Sequence, residues 1–167
     1  METTIGNRVL RVEALSETIF RLTCIVGGDT RGNGLSRYGF LREEWSPAAA
    51  ESFRDGDVVG VRTASAVLRA GTAQPGAVEF ARADGTVLCA GTFAPGDAGG
   101  GEARFAMGAG ERYYGFGDQN RERIEYGGAR VRMVVENVAS YIPIPFMMSS
   151  RGYAVLCNTT FPHVWDM

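Results

Sequence analysis

Ala77-Val78-Glu79-Phe80-Ala81-Arg82-Ala83-Asp84-Gly85-Thr86-Val87-Leu88-Cys89-Ala90 is a pair of apolar runs hinged on an Asp-Gly dipeptide. Asp and Gly tolerate the positive φ of a tight turn, so the stretch predicts a β-hairpin. The same pattern recurs outward from it. Residues 8–14, 18–26, 57–63 and 66–70 precede the hairpin, and 103–107, 129–136, 144–148 and 153–158 follow it, all short and apolar-rich. In 18–26, Phe20, Leu22, Cys24 and Val26 share the core-facing side at period two. Ile19 and Ile25 fall on the other side, which is therefore expected to be covered as well. Only Ser46-Pro47-Ala48-Ala49-Ala50-Glu51 predicts a helical turn, with an N-cap Ser and Pro at the first helical position. No segment keeps a 3.6-residue period over three turns. Many short strands with Gly-rich turns between them give an all-β sandwich or barrel rather than an α/β sheet. The run Gly96-Asp97-Ala98-Gly99-Gly100-Gly101 is expected to be a flexible loop or a junction between subregions.

Composition narrows the function classes. The 167 residues are 45% hydrophobic and 22% charged, which suits a globular domain with a real core. A net charge of −2 offers no basic face, so no nucleic-acid partner is expected. Every basic residue is Arg, which removes Schiff-base chemistry and the phosphate-binding Lys of a P-loop. Cys24, Cys89 and Cys157 are odd in number and widely spaced, and read as reduced thiols rather than a disulfide or zinc framework. No apolar run reaches transmembrane length and no leader pattern opens the chain, so no membrane partner is expected and the location expected is cytoplasmic.

Most motifs that hint at chemistry fall away on inspection. Gly110 and Gly115 have the spacing of a P-loop start, but Phe116 and Gly117 stand where Lys and Ser or Thr are needed. His163 is the single histidine and has neither metal-ligand spacing around it nor a Gly-x-Ser-x-Gly elbow to serve. Pro143 and Pro145 mark a sheet edge or a strand entry, because proline donates no ladder hydrogen bond.

Two stretches are more specific. Glu111-Arg112-Tyr113-Tyr114-Gly115-Phe116-Gly117-Asp118 sets aromatics among glycines and ends in an acid. Ile144-Pro145-Phe146 leads into Ser149-Ser150-Arg151-Gly152-Tyr153 and an apolar run to Asn158. In order and spacing these resemble two motifs of the N-terminal sandwich of glycoside hydrolase family 31, the α-glucosidase and α-xylosidase group. One family run is Glu-Arg-Phe-Tyr-Gly-Leu-Gly-Glu; the other is Ile-Pro-Phe followed by Ser-Ser-Arg-Gly-Tyr-Gly. Ala154 replaces the last Gly, and Glu125-Tyr126-Gly127-Gly128 fits the family's intervening turn loosely. Leu10-Arg11-Val12 and Phe20-Arg21-Leu22 suit the family's opening strands.

The resemblance implies an all-β, galactose-mutarotase-like β-sandwich. Residues 1–167 would form a single N-terminal domain, with a catalytic (β/α)₈ barrel expected downstream and absent from this chain. The parent would be a retaining α-glycosidase acting on α-glucosides, α-xylosides or their oligosaccharides, with neither metal nor organic cofactor. The barrel would carry both catalytic carboxylates, so no catalytic residue is assigned here. Trp165 and Asp166 are adjacent, unlike the family's Trp-x-Asp-Met nucleophile pattern, and Asp166 is rejected as catalytic. The substrate-contact candidates are Asp118, Glu136, Asn137 and Tyr141. Asn137 matches the Asn of a family loop whose Trp and Asp are missing here. Asp118 is expected to cap a turn or, in the parent, to face the sugar. Docking on the barrel would cover an apolar face with Tyr141, Ile142, Phe146 and Trp165 as contributors; self-association into a homo-oligomer is the other way to cover it. A rival reading is a carbohydrate-binding module using Trp45, Tyr38 and Phe40. A free-standing epimerase would need His and acid pairs that a lone His163 does not supply.

Overall fold

The computed structural model describes residues 1–5, 8–26, 34–46, 48–73, 76–95, 100–118, 123–134 and 142–167. The chain contacts cluster into two compact units, Met1–Arg31 with Glu43–Ala106, and Gly32–Arg42 with Met107–Met167.

Among the described residues the first unit holds two antiparallel sheets in which sequence neighbours are spatial neighbours. One is β1 (Glu2–Ile5), β2 (Arg8–Ala14) and β3 (Phe20–Val26). The other is β4 (Glu51–Asp55), β5 (Val58–Arg62), β6 (Ala66–Gly71), β7 (Gly76–Arg82), β8 (Val87–Pro95) and β9 (Gly101–Phe105). Period-two patterning decides which side chains enter the core. Leu10 and Val12 of β2 meet Val59, Val61, Leu68, Ala70 and Val78 of the larger sheet, with Phe20, Leu22 and Phe80 packed around them. Each buried Leu or Val contributes about 1.5–3 kcal/mol. Phe20 and Leu22 thus face the core as the pattern predicts, while Ile19, on the opposite side, stays 44% exposed.

The Asp84-Gly85 hairpin forms. Gly85 takes φ +88°, its N–H donates to the Arg82 carbonyl at 3.0 Å, and the Thr86 N–H donates to Asp84 Oδ1 at 2.8 Å. The Thr86 hydrogen bonds hold the Asp84 carboxyl below its ordinary pKa. A bulge at Phe80/Ala81 lets the ladder shift register above the turn. The helical turn expected at 46–51 is not there: Ser46 and 48–50 are irregular and Glu51 opens β4, its carboxylate 3.1 Å from Arg62 Nε across the ladder. An alanine turn this short has no apolar face to bury, and an isolated turn is too costly to nucleate. The glycine run at 96–101 joins the hairpin partners β8 and β9, whose register begins at Pro95↔Gly101; residues 96–99 lie outside the described ones.

Among the described residues the second unit carries one helical turn, α1 (Gly34–Arg37), and two small antiparallel sheets. One has the order β10 (Tyr113–Asp118), β12 (Ile142–Ser149), β13 (Tyr153–Leu156); the other pairs β11 (Arg130–Met133) with β14 (His163–Asp166). Its core is Tyr113, Phe116, Tyr126, Val131, Met133 and Met147. Pro143 and Pro145 do lie in the central strand β12, yet β13 pairs only with Phe146–Ser149. The prolines therefore occupy the entering half of the strand, where Pro143 pairs with Gly117 of β10 and the Pro145 carbonyl accepts the Cys157 N–H at 2.9 Å just past β13, positions at which a missing N–H is tolerated.

Candidate functional site

The second unit brings the two sequence motifs together. Ser149-Ser150-Arg151-Gly152 is the tight turn from β12 to β13, closed by the Gly152 N–H on the Ser149 carbonyl at 3.0 Å with Gly152 at φ +83°. Ser150 exchanges two bonds with the other motif: its N–H donates to the Arg112 carbonyl at 2.9 Å, and its Oγ accepts from the Arg112 N–H at 3.0 Å. Glu111 is the centre of this clip. Its side chain is 1% exposed, takes a short hydrogen bond from Ser149 Oγ, and accepts the Gly108 N–H at 2.9 Å. Burial pushes the Glu111 carboxyl up, but donors from Ser149, Tyr153, Gly108 and Tyr113 outweigh it and leave the pKa below its ordinary value. Glu125 works the same way one turn on. Its Oε1 accepts the Tyr113 and Gly127 N–H groups at 3.2 and 2.7 Å, which depresses its pKa and fixes the start of β10.

Beyond the clip, β10 departs from regular strand geometry. Gly115, Phe116 and Gly117 all have positive φ, and the pairing with β12 slips between Gly115 and Gly117. A Cβ on Gly115 would run into the Phe146 carbonyl oxygen, and one on Gly117 into the backbone at Ile142 and Ile144. Glycine is required by the approach and by the dihedral together. Strand alternation would put Phe116 on the same face as Tyr114. Its φ of +67° turns the ring inward instead, edge-on to Tyr126 at 5.1 Å and Trp165 at 5.3 Å. Phe116 is completely buried, and this contact gives Trp165 the packing role read from the sequence. His163 is half-buried, its Nδ1 2.8 Å from the Phe161 carbonyl.

Past the slip β10 regains its pairing, with Asp118 opposite Ile142. Directly paired antiparallel residues share a face, so exposed Asp118 lies on the same outer face as Ile142. Along that face Met148 pairs with Ala154 and Phe146 with Leu156. Of the four candidate contact residues, Asp118 is the one the structure places; Glu136, Asn137 and Tyr141 lie outside the described residues. Among the contributors named for a covered face, Ile142 is exposed, while Phe146 and Trp165 are half-buried. The aromatics considered for a carbohydrate-binding module divide between the units, exposed Tyr38 and Phe40 in the second and half-buried Trp45 in the first. Among the described residues no group of three His, Cys, Asp or Glu is placed to hold a metal ion, and no helix is long and apolar enough to cross a membrane. The clip of Glu111, Ser149 and Glu125 was not foreseen from sequence; its one signal was that the two motifs occur together.

Comparison with known proteins agrees with this geometry. Among curated proteins none matches the chain. The fold is similar to an α-xylosidase of glycoside hydrolase family 31 from a soil metagenome, solved with xylose, at a TM-score of 0.77 and 21% identity over 98% of this chain and 27% of that one. It is similar to a family 31 α-xylosidase from Xanthomonas citri at a TM-score of 0.70 and 22% identity, over 97% of this chain and 18% of that one. A family 31 dextranase from Flavobacterium johnsoniae matches at a TM-score of 0.68 and 15% identity, over 96% of this chain and 21% of that one. The chain thus spans about a quarter or less of these relatives, and what they share with it is the β-sandwich fold. The model of the glycosyl hydrolase 31 N-terminal galactose mutarotase-like domain matches residues 9–166, which takes in both motifs and every strand from β2 to β14. By that match the chain belongs to the N-terminal galactose-mutarotase-like domain family of glycoside hydrolase family 31.

Proposed function

We propose that this chain is the N-terminal domain of a retaining α-glycosidase of the α-glucosidase type, which supports a catalytic (β/α)₈ barrel and helps shape its sugar site. The family match over 9–166 carries the reading. The substrate class is α-glucosides and α-xylosides, supported by the α-xylosidases and dextranase whose sandwiches this fold resembles. Retention requires a nucleophile and an acid/base carboxyl about 5–5.5 Å apart across the scissile bond. In this proposal both belong to the barrel, and the sandwich contributes binding and orientation. Cys24, Cys89 and Cys157 form no disulfide, which supports the cytoplasm as the proposed location.

Within the sandwich, Asp118 is the proposed contact to sugar, supported by its exposed place at the end of β10 just past a rigid, aromatic-clamped bulge. The bulge constrains the backbone that leads into Asp118. Thermal melts and kinetics on Asp118→Ala separate this role from turn capping. A sugar contact predicts an unchanged melting temperature for the 167-residue chain and a loss of about ten-fold in kcat/KM for the full-length enzyme, about 1.4 kcal/mol of transition-state binding. A lowered melting temperature with normal turnover would make Asp118 a cap.

A further inference from the structure

We propose that Phe116 is a positioning residue: its buried ring selects the strand register that sets Asp118 opposite Ile142. The bearing of this on catalysis rests on the reading of Asp118 as a sugar contact.

The slip in β10 has a definite size. From Gly115↔Met147 to Gly117↔Pro143, β10 advances two residues while β12 advances four. A ladder continued from Gly115 without the slip would pair Asp118 with Ile144, whereas its partner is Ile142. At about 3.4 Å per residue, the slip carries Asp118 about 7 Å further along β12. A shift of two residues keeps every side chain on its own face, because the side-chain period of a strand is two. Ile142 and Ile144 are both exposed, so the apolar pattern of β12 fits either register. Something other than patterning chooses between them.

Phe116 makes the choice. Among the described residues it is the one non-glycine residue with positive φ, and it sits where the slip occurs. In the unslipped ladder it would be extended opposite Phe146, with its ring on the outer face. In the slipped one the ring is completely buried, edge-on to Tyr126 and Trp165. An unfavourable φ persists only where the surroundings over-determine it. Here burial of the ring favours the slipped register and outweighs the dihedral. Gly115 and Gly117 admit the close backbone approaches at Phe146, Ile142 and Ile144 that this register needs. They permit the register, and the ring selects it. Asp118 ends β10 two residues on, so the choice fixes which part of β12 its carboxylate stands beside.

Cysteine pairs read the register directly, since a disulfide joins residues that face each other across a ladder and not residues two positions off. Asp118→Cys is combined with Ile142→Cys or with Ile144→Cys in the 167-residue chain. The linked fraction is read by mass spectrometry from the tryptic peptides that carry these positions, which separates it from links to Cys24, Cys89 or Cys157. With Phe116 in place, the 118–142 pair should link about five-fold more than the 118–144 pair. Phe116→Val keeps an apolar side chain, but a β-branched residue resists positive φ, so it should level or reverse that ratio. Phe116→Leu should restore it. Should the valine chain not fold, Tyr126→Leu removes the ring's edge-on partner and should move the ratio the same way. A ratio that neither variant changes would overturn the proposal. In the full-length polypeptide, Phe116→Val, Asp118→Ala and the double variant are compared by kcat/KM. The double variant should lose no more than Asp118→Ala alone, because residues that act through one another are not additive. Losses that multiply would make Phe116 a stabilising residue only and overturn its positioning role. If Asp118→Ala leaves turnover unchanged, the sugar-contact reading fails, and the cross-link ratios alone decide whether Phe116 sets the register.

Discussion

Gly115 and Glu111 show how single residues hold the second unit together. Gly115 sits at φ +115°, with the Phe146 carbonyl where a Cβ would go. Gly115→Val adds both backbone strain and overpacking, and is expected to destabilise the chain by about 2–5 kcal/mol in urea melts. Glu111 is a buried carboxylate whose donors come from β12, β13 and the chain before β10. Glu111→Gln keeps the shape and removes the charge, and should cost about 1.5–3 kcal/mol, the worth of hydrogen bonds to a charged group. Because its folded pKa is depressed, the stability it supplies is present above the unfolded carboxyl value of about 4.3 and is lost as pH falls through the lower folded value. Urea melts at pH 7 and pH 3 check the sign: the gap between Glu111→Gln and the parent chain should shrink at the lower pH.

At the scale of elements, β14 shows how a short terminal strand completes a core. Its four residues pair with β11, and Trp165 closes over Phe116 from there. Trp165→Ala should cost about 2–4 kcal/mol. Hydrogen exchange should accelerate in β10–β14 and stay unchanged in β5–β8, since the contacts of Trp165 lie in the second unit. Acceleration of both alike would show that the units unfold together. Strands with dense apolar runs were legible in the sequence: β2, β3 and β5 to β9 lie where period-two patterning puts them. β4 was not, because Glu51–Asp55 is polar apart from Phe53. β10 was hidden by glycines that weaken strand propensity, and β14 by a pairing partner thirty or more residues away. The Glu111–Ser149 contact spans 38 residues, and no local pattern encodes it. What the sequence held was the two motifs themselves, which occur together because they are bonded to each other.

At the scale of the whole molecule, the central claim is a division of labour. In the proposed function the sandwich supplies a scaffold and Asp118, and the chemistry is assigned to another part of the polypeptide. The measurement that bears on it most directly is hydrolysis of nitrophenyl α-xyloside and α-glucoside by the 167-residue chain and by the full-length polypeptide, each purified free of host glycosidases. The account predicts turnover by the full-length polypeptide and none by the 167-residue chain. Turnover by the 167-residue chain alone, or its absence from both, would contradict it.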